Sequence, residues 1–282
     1  MFPIRTIMAV FLAASVVAQP AIGEPQLFKR HRDHILGTSF DLVVHSETEA
    51  AADQVETAIL DEITRLSGIL NTYDPSSEIS QLNEVGQATV SLELIEVLNA
   101  CDAFRKETSN ALSCRIGQIL EIWERAERNQ KIPDRPDLRL QAGEVRRAEV
   151  GIHTSTRLVT RPEAVLFRTD ALAKGYIIDK ALLAGREVSP DVSGILLNIG
   201  GDMRAWGSGP HEGMWRAGIS SDSSGAADGQ SEGAILSFSE GALASSGTGP
   251  RDQVIDGQRF GHIISPSDGW PIKGTLSASV YA

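Results

Sequence analysis

Four short segments set glycines and small polar or charged side chains where apolar runs begin or end: Gly37-Thr38, Asn71–Asn83, Asp170–Asp179 and Asn198–Arg204. Strand ends and helix starts carry free backbone N–H groups that can hold anions. Lys174, in Ala173-Lys174-Gly175-Tyr176, is expected to open a helix and could touch a phosphate beside the helix-terminal amides. Taken alone, a solvated lysine is the more ordinary reading. Gly200-Gly201 follows the apolar run Ile195–Ile199 and permits either a simple tight turn or close approach of a ligand. His262 could take a proton from a hydroxyl or donate to a phosphate, although a lone histidine at a strand end is more often a structural donor. Ser245-Ser246-Gly247 is expected on a strand adjacent to the one carrying His262.

Several other chemistries lack their signatures. No G-x-G-x-x-G opens a helix at Asn198–Asp202, there is no Walker loop, and no G-x-S-x-G elbow surrounds a serine. Cysteines and histidines do not cluster at zinc-ligand spacing.

The elements that must position these residues follow from periodicity. Phe40, Leu42 and Val44 alternate as on a strand. Ala51, Val55, Ile59, Ile63, Leu66 and Leu70 recur at three- or four-residue steps and predict one long amphipathic helix. It ends in Asn71–Ser77, a run of turn formers. Further helices fit 92–105, 116–128 and 173–186, and 132–150 reads as loop plus a surface helix. Val165–Phe167 reads as a short buried strand. From Gly194 the pattern turns to strands: 195–199, 214–219, 235–238, 243–245, 260–264 and 276–281, with Ser220–Gly233 as a solvated hairpin loop. Helices and strands are partly segregated, which favours α+β over a doubly wound sheet. A split into two sheet-forming halves near residue 150 is open.

Composition is that of a globular protein, with 282 residues, 41% of them hydrophobic. An apolar run, Ile7–Ala18, follows Arg5 and precedes the small-x-small site Ala21-Ile22-Gly23, so residues 1–23 read as a signal peptide and the chain as exported to the periplasm. A short membrane anchor is the alternative. No later segment is long and apolar enough to span a membrane, so none is expected in the mature chain. Without residues 1–23 the chain carries 25 basic against 37 acidic residues, a net charge of −12. Such a surface repels phosphate backbones and argues against nucleic-acid binding. Cys101 and Cys114 could form a disulfide in an oxidising compartment or remain two buried thiols.

In order along the chain stand Leu36-Gly37-Thr38, Asn71-Thr72-Tyr73, Ser77–Asn83, Asn110–Ser113, Ala171–Tyr176, Leu197–Asp202, Ala242–Gly247 and His262-Ile263-Ile264-Ser265-Pro266. Together they resemble the ApbE family of FAD:protein FMN transferases, from about residue 27 to 282. The resemblance implies an α+β fold of duplicated sheet units packed with helices, in one domain over 24–282. It implies FAD as substrate, Mg²⁺ as cofactor, and transfer of FMN to a Thr or Ser hydroxyl of an exported redox protein with release of AMP.

By position in the motifs, Leu36 stands where the family has a flavin-contacting Met, and Tyr73 matches the Tyr of its S-T-Y segment. Ala111, Leu112 and Ser113 match an FAD-contacting segment, Lys174 a nucleotide contact, and Ile263 the segment beside the diphosphate. Ala171 matches the residue whose backbone oxygen binds the metal. His262 is expected closest to the chemistry. The departures are Arg168, Ser113 and Ser265, each standing where the family carries a carboxylate. The family also continues past the strand at 275–281 into a helix with an Asp and a Thr or Ser of the metal site, whereas the sequence stops at Ala282, so that helix is expected to be absent. A catalytically impaired flavin-binding accessory protein is the alternative function.

Overall fold

The computed structural model describes residues 25–219, 234–247, 249, 252–274 and 277–282. Residues 1–23, expected as a signal peptide, and 220–233, expected as a hairpin loop, lie outside the described residues. In chain order a hairpin, β1 (Gln26–Ile35) and β2 (Thr38–Ser46), leads into α1 (Glu49–Leu70) and α2 (Glu78–Val85). Then come β3 (Gln87–Thr89), α3 (Leu92–Glu107), α4 (Gly117–Asn129), α5 (Arg135–Arg147), β4 (Gly151–His153), β5 (Leu158–Thr160) and α6 (Asp170–Arg186). The remainder is strands: β6 (Val192–Ile199), β7 (Asp202–Gly207), β8 (Trp215–Ile219), β9 (Ala234–Phe238), β10 (Gly241–Gly247), β11 (Gln253–Ile255), β12 (Gln258–Phe260) and β13 (Ser277–Tyr281).

The main sheet runs β1-β2-β6-β7-β10-β13, with every neighbouring pair antiparallel. Strands from both sides of residue 150 share it, because β2 pairs with β6 from Phe40↔Ile199 onward. The split near 150 therefore fails, while the α+β class holds. Phe40, Leu42 and Val44 are fully buried on one face of β2. Against that face lie α1, through Val55, Ile59, Ile63 and Leu66, and α6, through Ile177, Ile178 and Ala181. Each of the larger aliphatic and aromatic side chains contributes roughly 2 kcal/mol by leaving water. Gly185 lets the two helices close, since a Cβ there would fall 2.8 Å from Cγ1 of Ile59.

Three helix starts are set by hydroxyl caps, which accept otherwise orphan amides. The Ala51 amide donates to Thr48 Oγ1 at 3.2 Å, the Ser80 amide to Ser77 Oγ at 3.3 Å, and the Leu94 amide to Ser91 Oγ at 3.2 Å.

Several local expectations are corrected. The 132–150 segment contains α5, whose Leu138, Ala142 and Val145 are buried in a second core with Trp123 and Ile255. Its apolar positions are spaced as on a helix but sit among arginines. Val165 and Phe167 are buried as expected, yet the segment makes only an isolated parallel bridge, Ile116↔Leu166, rather than a strand. Residues 260–264 are not a strand: β12 ends at Phe260 and Ile264 bridges only Pro271. Ser245 and His262 are accordingly not on adjacent strands, because β10 lies between β7 and β13. Cys101 and Cys114 are joined in a disulfide with their Cα atoms 5.8 Å apart.

Candidate functional site

The turn after α1 meets the start of α6. Thr72 Oγ1 and the Tyr73 hydroxyl each donate to Asp170, at 3.2 Å, one to each carboxylate oxygen. The Arg168 guanidinium lies 4.8 Å from the Tyr73 ring centroid and ion-pairs with Glu124 of α4. Thr72, Tyr73, Glu124 and Arg168 line an open pocket of about 370 Å³ with Pro75, Ser80 and Asn83. Tyr73 is 72% exposed, so one ring face is free for a flat ligand while Arg168 backs the other. Asn83 clamps the pocket wall: its Nδ2 donates to the Phe167 carbonyl at 2.9 Å and its Oδ1 accepts the Phe167 amide at 2.8 Å.

Ala111, Leu112 and Ser113 occupy the loop between α3 and α4. Ser109 and Asn110 turn it with φ of 51° and 68°. The Leu112 amide donates to Thr108 Oγ1 at 3.1 Å, and the Arg115 amide to Ser113 Oγ at 3.3 Å. The Arg168 amide donates to the Cys114 carbonyl at 2.8 Å, so this loop adjoins the Arg168 wall. The disulfide and an ion pair between Arg115 and Asp102, at 2.6 Å, hold it there.

A second group of motifs meets at one end of the main sheet. Gly200 and Gly201 turn β6 into β7 with φ of 59° and 90°, values that favour glycine. A Cβ on Gly200 would fall 2.6 Å from Thr38, so the Leu36-Gly37-Thr38 turn and the Gly-Gly turn pack against each other. Leu36, at φ 49°, packs partly buried against the first core. Asn198 Oδ1 accepts the Gly201 amide at 3.0 Å. Asp202 then draws in two more segments: Lys174 Nζ lies 2.6 Å from its Oδ2, and the Ser245 amide donates to its Oδ1 at 3.4 Å. Lys174 is thus not at a helix opening. The helix begins at Asp170 with Thr169 as its cap, so Lys174 lies in the second turn and its ammonium is engaged by a carboxylate rather than set among free amides.

His262 lies two residues after β12, in a segment docked on α4. The indole of Trp123 donates to the Gly269 carbonyl at 2.8 Å, and its ring meets Phe260 tilted and Trp270 edge-on, with centroids 5.2 and 5.1 Å apart. The same helix carries Glu121 and Glu124 into the Arg168 pocket. His262 Nδ1 is 3.0 Å from Asp252 Oδ1, and its backbone amide donates to the same oxygen at 3.3 Å. Burial pushes the Asp252 carboxyl up, but hydrogen bonds from the His262 ring, the Gly249 and His262 amides and Arg259 hold it below its usual range. The Ile263 carbonyl accepts the Ile272 amide at 2.9 Å, and Ser265 Oγ pairs with Ser267 Oγ at 2.7 Å.

The metal position is the poorest match. Ala171 lies in the first turn of α6, beside Asp170. Both Asp170 oxygens already accept hydrogen bonds, and a guanidinium rather than a carboxylate stands two residues earlier. Among the described residues no group of three or more His, Cys, Asp or Glu side chains could hold a metal ion. A magnesium ion seeks several oxygen ligands, carboxylates among them, and this donor set does not fit one held by the protein.

Two groups are therefore brought together: Thr72, Tyr73 and Arg168 around the pocket, with the Ala111–Ser113 loop tied to Arg168 only through the Cys114 carbonyl, and Leu36, Lys174 and Asp202 at the sheet end. His262 and Ile263 join the pocket's side of the molecule through α4. The sequence reading missed Asp252 and Glu124. Asp252 carried one usable signal, the Asp256-Gly257 pair four residues on, which is a hairpin signature. Glu124 had none, since one acid on an amphipathic helix reads as solvated.

A model of the ApbE family matches residues 36–282. A FAD:protein FMN transferase of Klebsiella pneumoniae is 25% identical over 248 residues, covering 86% of the chain and 74% of that protein. One from Haemophilus influenzae is 24% identical, covering 83% and 68%. The crystal structure of the ApbE protein of Thermotoga maritima superposes with a TM-score of 0.79 at 25% identity, covering 91% of the chain and 82% of its own. The Pseudomonas stutzeri flavinyl transferase ApbE gives 0.74 at 16% identity, covering 92% and 80%. The family match spans every element from β2 to β13, and with it both groups of site residues: the chain belongs to the ApbE family.

Proposed function

We propose that the protein transfers the FMN portion of FAD to a Thr or Ser hydroxyl of an exported redox protein. The observation that carries this is the family match over residues 36–282, whose relatives are named FAD:protein FMN transferases. In the reaction the acceptor oxygen bonds to the flavin-side phosphorus. The diphosphate P–O bond breaks, its electron pair leaves with AMP, and the hydroxyl proton passes to a base, His262. Tyr73 offers its free face to a flat ring, with Leu36 and Ala111–Ser113 as further flavin contacts and Ile263 beside the diphosphate. Lys174, once released from Asp202, supplies a cation to a phosphate. Such a transfer rests on positioning and charge neutralisation. Magnesium, which the family resemblance implies, is not fitted by the donor set around Ala171. Export places the reaction in the periplasm, in keeping with the signal-like residues 1–23 and with the disulfide. Among the described residues no helix is long and apolar enough to cross a membrane.

A second reading, a flavin-binding accessory protein without transfer, is favoured by the Arg168–Glu124 ion pair at a position expected to be acidic. One assay separates them. Protein lacking residues 1–23 is mixed with FAD, Mg²⁺ and an acceptor carrying a flavinylation sequence, then denatured. Flavin fluorescence retained on the acceptor supports transfer; FAD binding without retained flavin supports the accessory reading.

A further inference from the structure

We infer that Asp252 is the positioning carboxylate of His262, a role that rests on His262 acting as base in the proposed transfer. The local sequence builds the pair. Asp256 and Gly257 have φ of 49° and 71°, the two left-handed residues of a tight hairpin turn. That turn sets the β11–β12 register Gln253↔Phe260, Val254↔Arg259 and Ile255↔Gln258. Asp252 enters the hairpin and His262 leaves it, so both come to its open end. The hairpin cannot swing away. Ile255 is buried in the second core, Gln130 Nε2 donates to the Val254 carbonyl at 3.0 Å, and the Asp256 amide donates to Gln130 Oε1 at 3.1 Å.

The Asp252 side chain is only 5% exposed and the His262 side chain 28%. One oxygen, Oδ1, accepts from both the amide and the ring of His262, so a single group fixes the backbone and the side chain of the same residue. The other oxygen accepts Arg259 Nε at 3.0 Å, while Arg259 Nη2 donates to the Gly249 carbonyl at 3.1 Å. A carboxylate only accepts, so Nδ1 must carry the proton of the neutral ring. The free lone pair is then on Nε2, the nitrogen pointing away from Asp252.

The consequence for the transfer is direct. As the acceptor oxygen bonds to the flavin-side phosphorus and AMP departs with the diphosphate bond pair, Nε2 takes the hydroxyl proton. The imidazolium so formed stands beside a desolvated negative charge, where its attraction is stronger than in water. Solvent then removes the proton. A histidine paired this way for structure alone would carry the same Nδ1 proton, so the tautomer reads the pair and the loss of kcat reads its part in transfer.

The test is long-range ¹H–¹⁵N NMR of the labelled protein lacking residues 1–23, with Asp252→Asn and Asp252→Ala as variants and transfer kinetics alongside. The wild-type spectrum is expected to show His262 with Nδ1 protonated and Nε2 bare, and Asp252→Ala to lose that single-tautomer signature. In both variants kcat should fall by about 10–100-fold while KM for FAD stays within about twofold. A wild-type His262 protonated at Nε2 in a protein that transfers flavin overturns the pair, as does unchanged kcat in Asp252→Ala. The wild-type tautomer needs no variant, so poor folding of Asp252→Ala leaves the pair testable. If the Nδ1–H tautomer is found but the wild type transfers nothing, the base role falls with the proposed reaction.

Discussion

At the residue scale, ion pairs decide which candidate side chains are available to a ligand. Lys174 is 2.6 Å from Asp202 and both are about one-fifth exposed, so ligand phosphate must compete with a carboxylate for the ammonium. Lys174→Met is expected to weaken FAD binding about tenfold, equivalent to roughly 1.4 kcal/mol, in a flavin-fluorescence titration. Unchanged affinity would leave Lys174 as Asp202's partner alone. Arg168 differs: its guanidinium is fixed between Glu124 and the Tyr73 ring. Arg168→Ala removes both, and is expected to destabilise the fold by about 1–3 kcal/mol in urea denaturation; a loss under about 0.5 kcal/mol would show these contacts to be dispensable. Most of the site's residue types were legible, because glycines and small polar groups at element ends are a chemical pattern. Their partners were not. Nothing in the sequence couples Lys174 to Asp202, and for His262 and Asp252 the Asp256-Gly257 turn marks a hairpin without fixing which side chains pair at its open end.

At the element scale, the α3–α4 loop is held by covalent and ionic ties to α3. The disulfide closes a short loop, so Cys101→Ala with Cys114→Ala is expected to cost about 2–4 kcal/mol, read as a lower Tm. An unchanged Tm would mean the loop's other contacts suffice. Asp102 accepts from Arg105 and Arg115 and pairs with Lys106 at 2.9 Å. Burial pushes its carboxyl up, yet Lys106, Arg105 and the charge of Arg115 outweigh that and lower it to about 2, from 3.8. A depressed carboxylate stabilises the fold above its unfolded value and loses that contribution as pH falls through the folded one. The stability gap between wild type and Asp102→Asn should therefore be full above pH ~4 and vanish near pH ~2. A gap constant over that range would contradict the assignment. Periodic elements such as α1 were legible because apolar residues recur without interruption. β1 was not: QLFKRHRDHI shows no clean alternation, as expected of a charged edge strand with little buried surface. The β11–β12 hairpin was readable in its Asp-Gly turn, but three-residue strands leave too little pattern beside it.

At the scale of the whole molecule, one antiparallel sheet gathers strands from both ends of the chain and places the Thr38, Gly200 and Asp202 turns at a single end. The α+β class was visible in the shift from helical to strand periodicity after Gly194. Sheet order was not, because β10 pairs with β7 and β13 across long separations that local pattern does not encode. The Lys174 end and the pocket wall, through Leu112, Cys114 and Phe167, belong to the first core with α1 and α6, whereas the His262 segment packs in the second with α4 and α5. Transfer requires FAD to engage both, so His262→Ala should lower transfer more than FAD binding. Movement of FMN onto a protein hydroxyl is read out by mass spectrometry of an exported acceptor protein after incubation with FAD, Mg²⁺ and the protein lacking residues 1–23. One Thr or Ser of the acceptor is expected to carry FMN through a phosphoester, with AMP released in equal amount; an unmodified acceptor beside protein that has bound FAD would rule the transfer out.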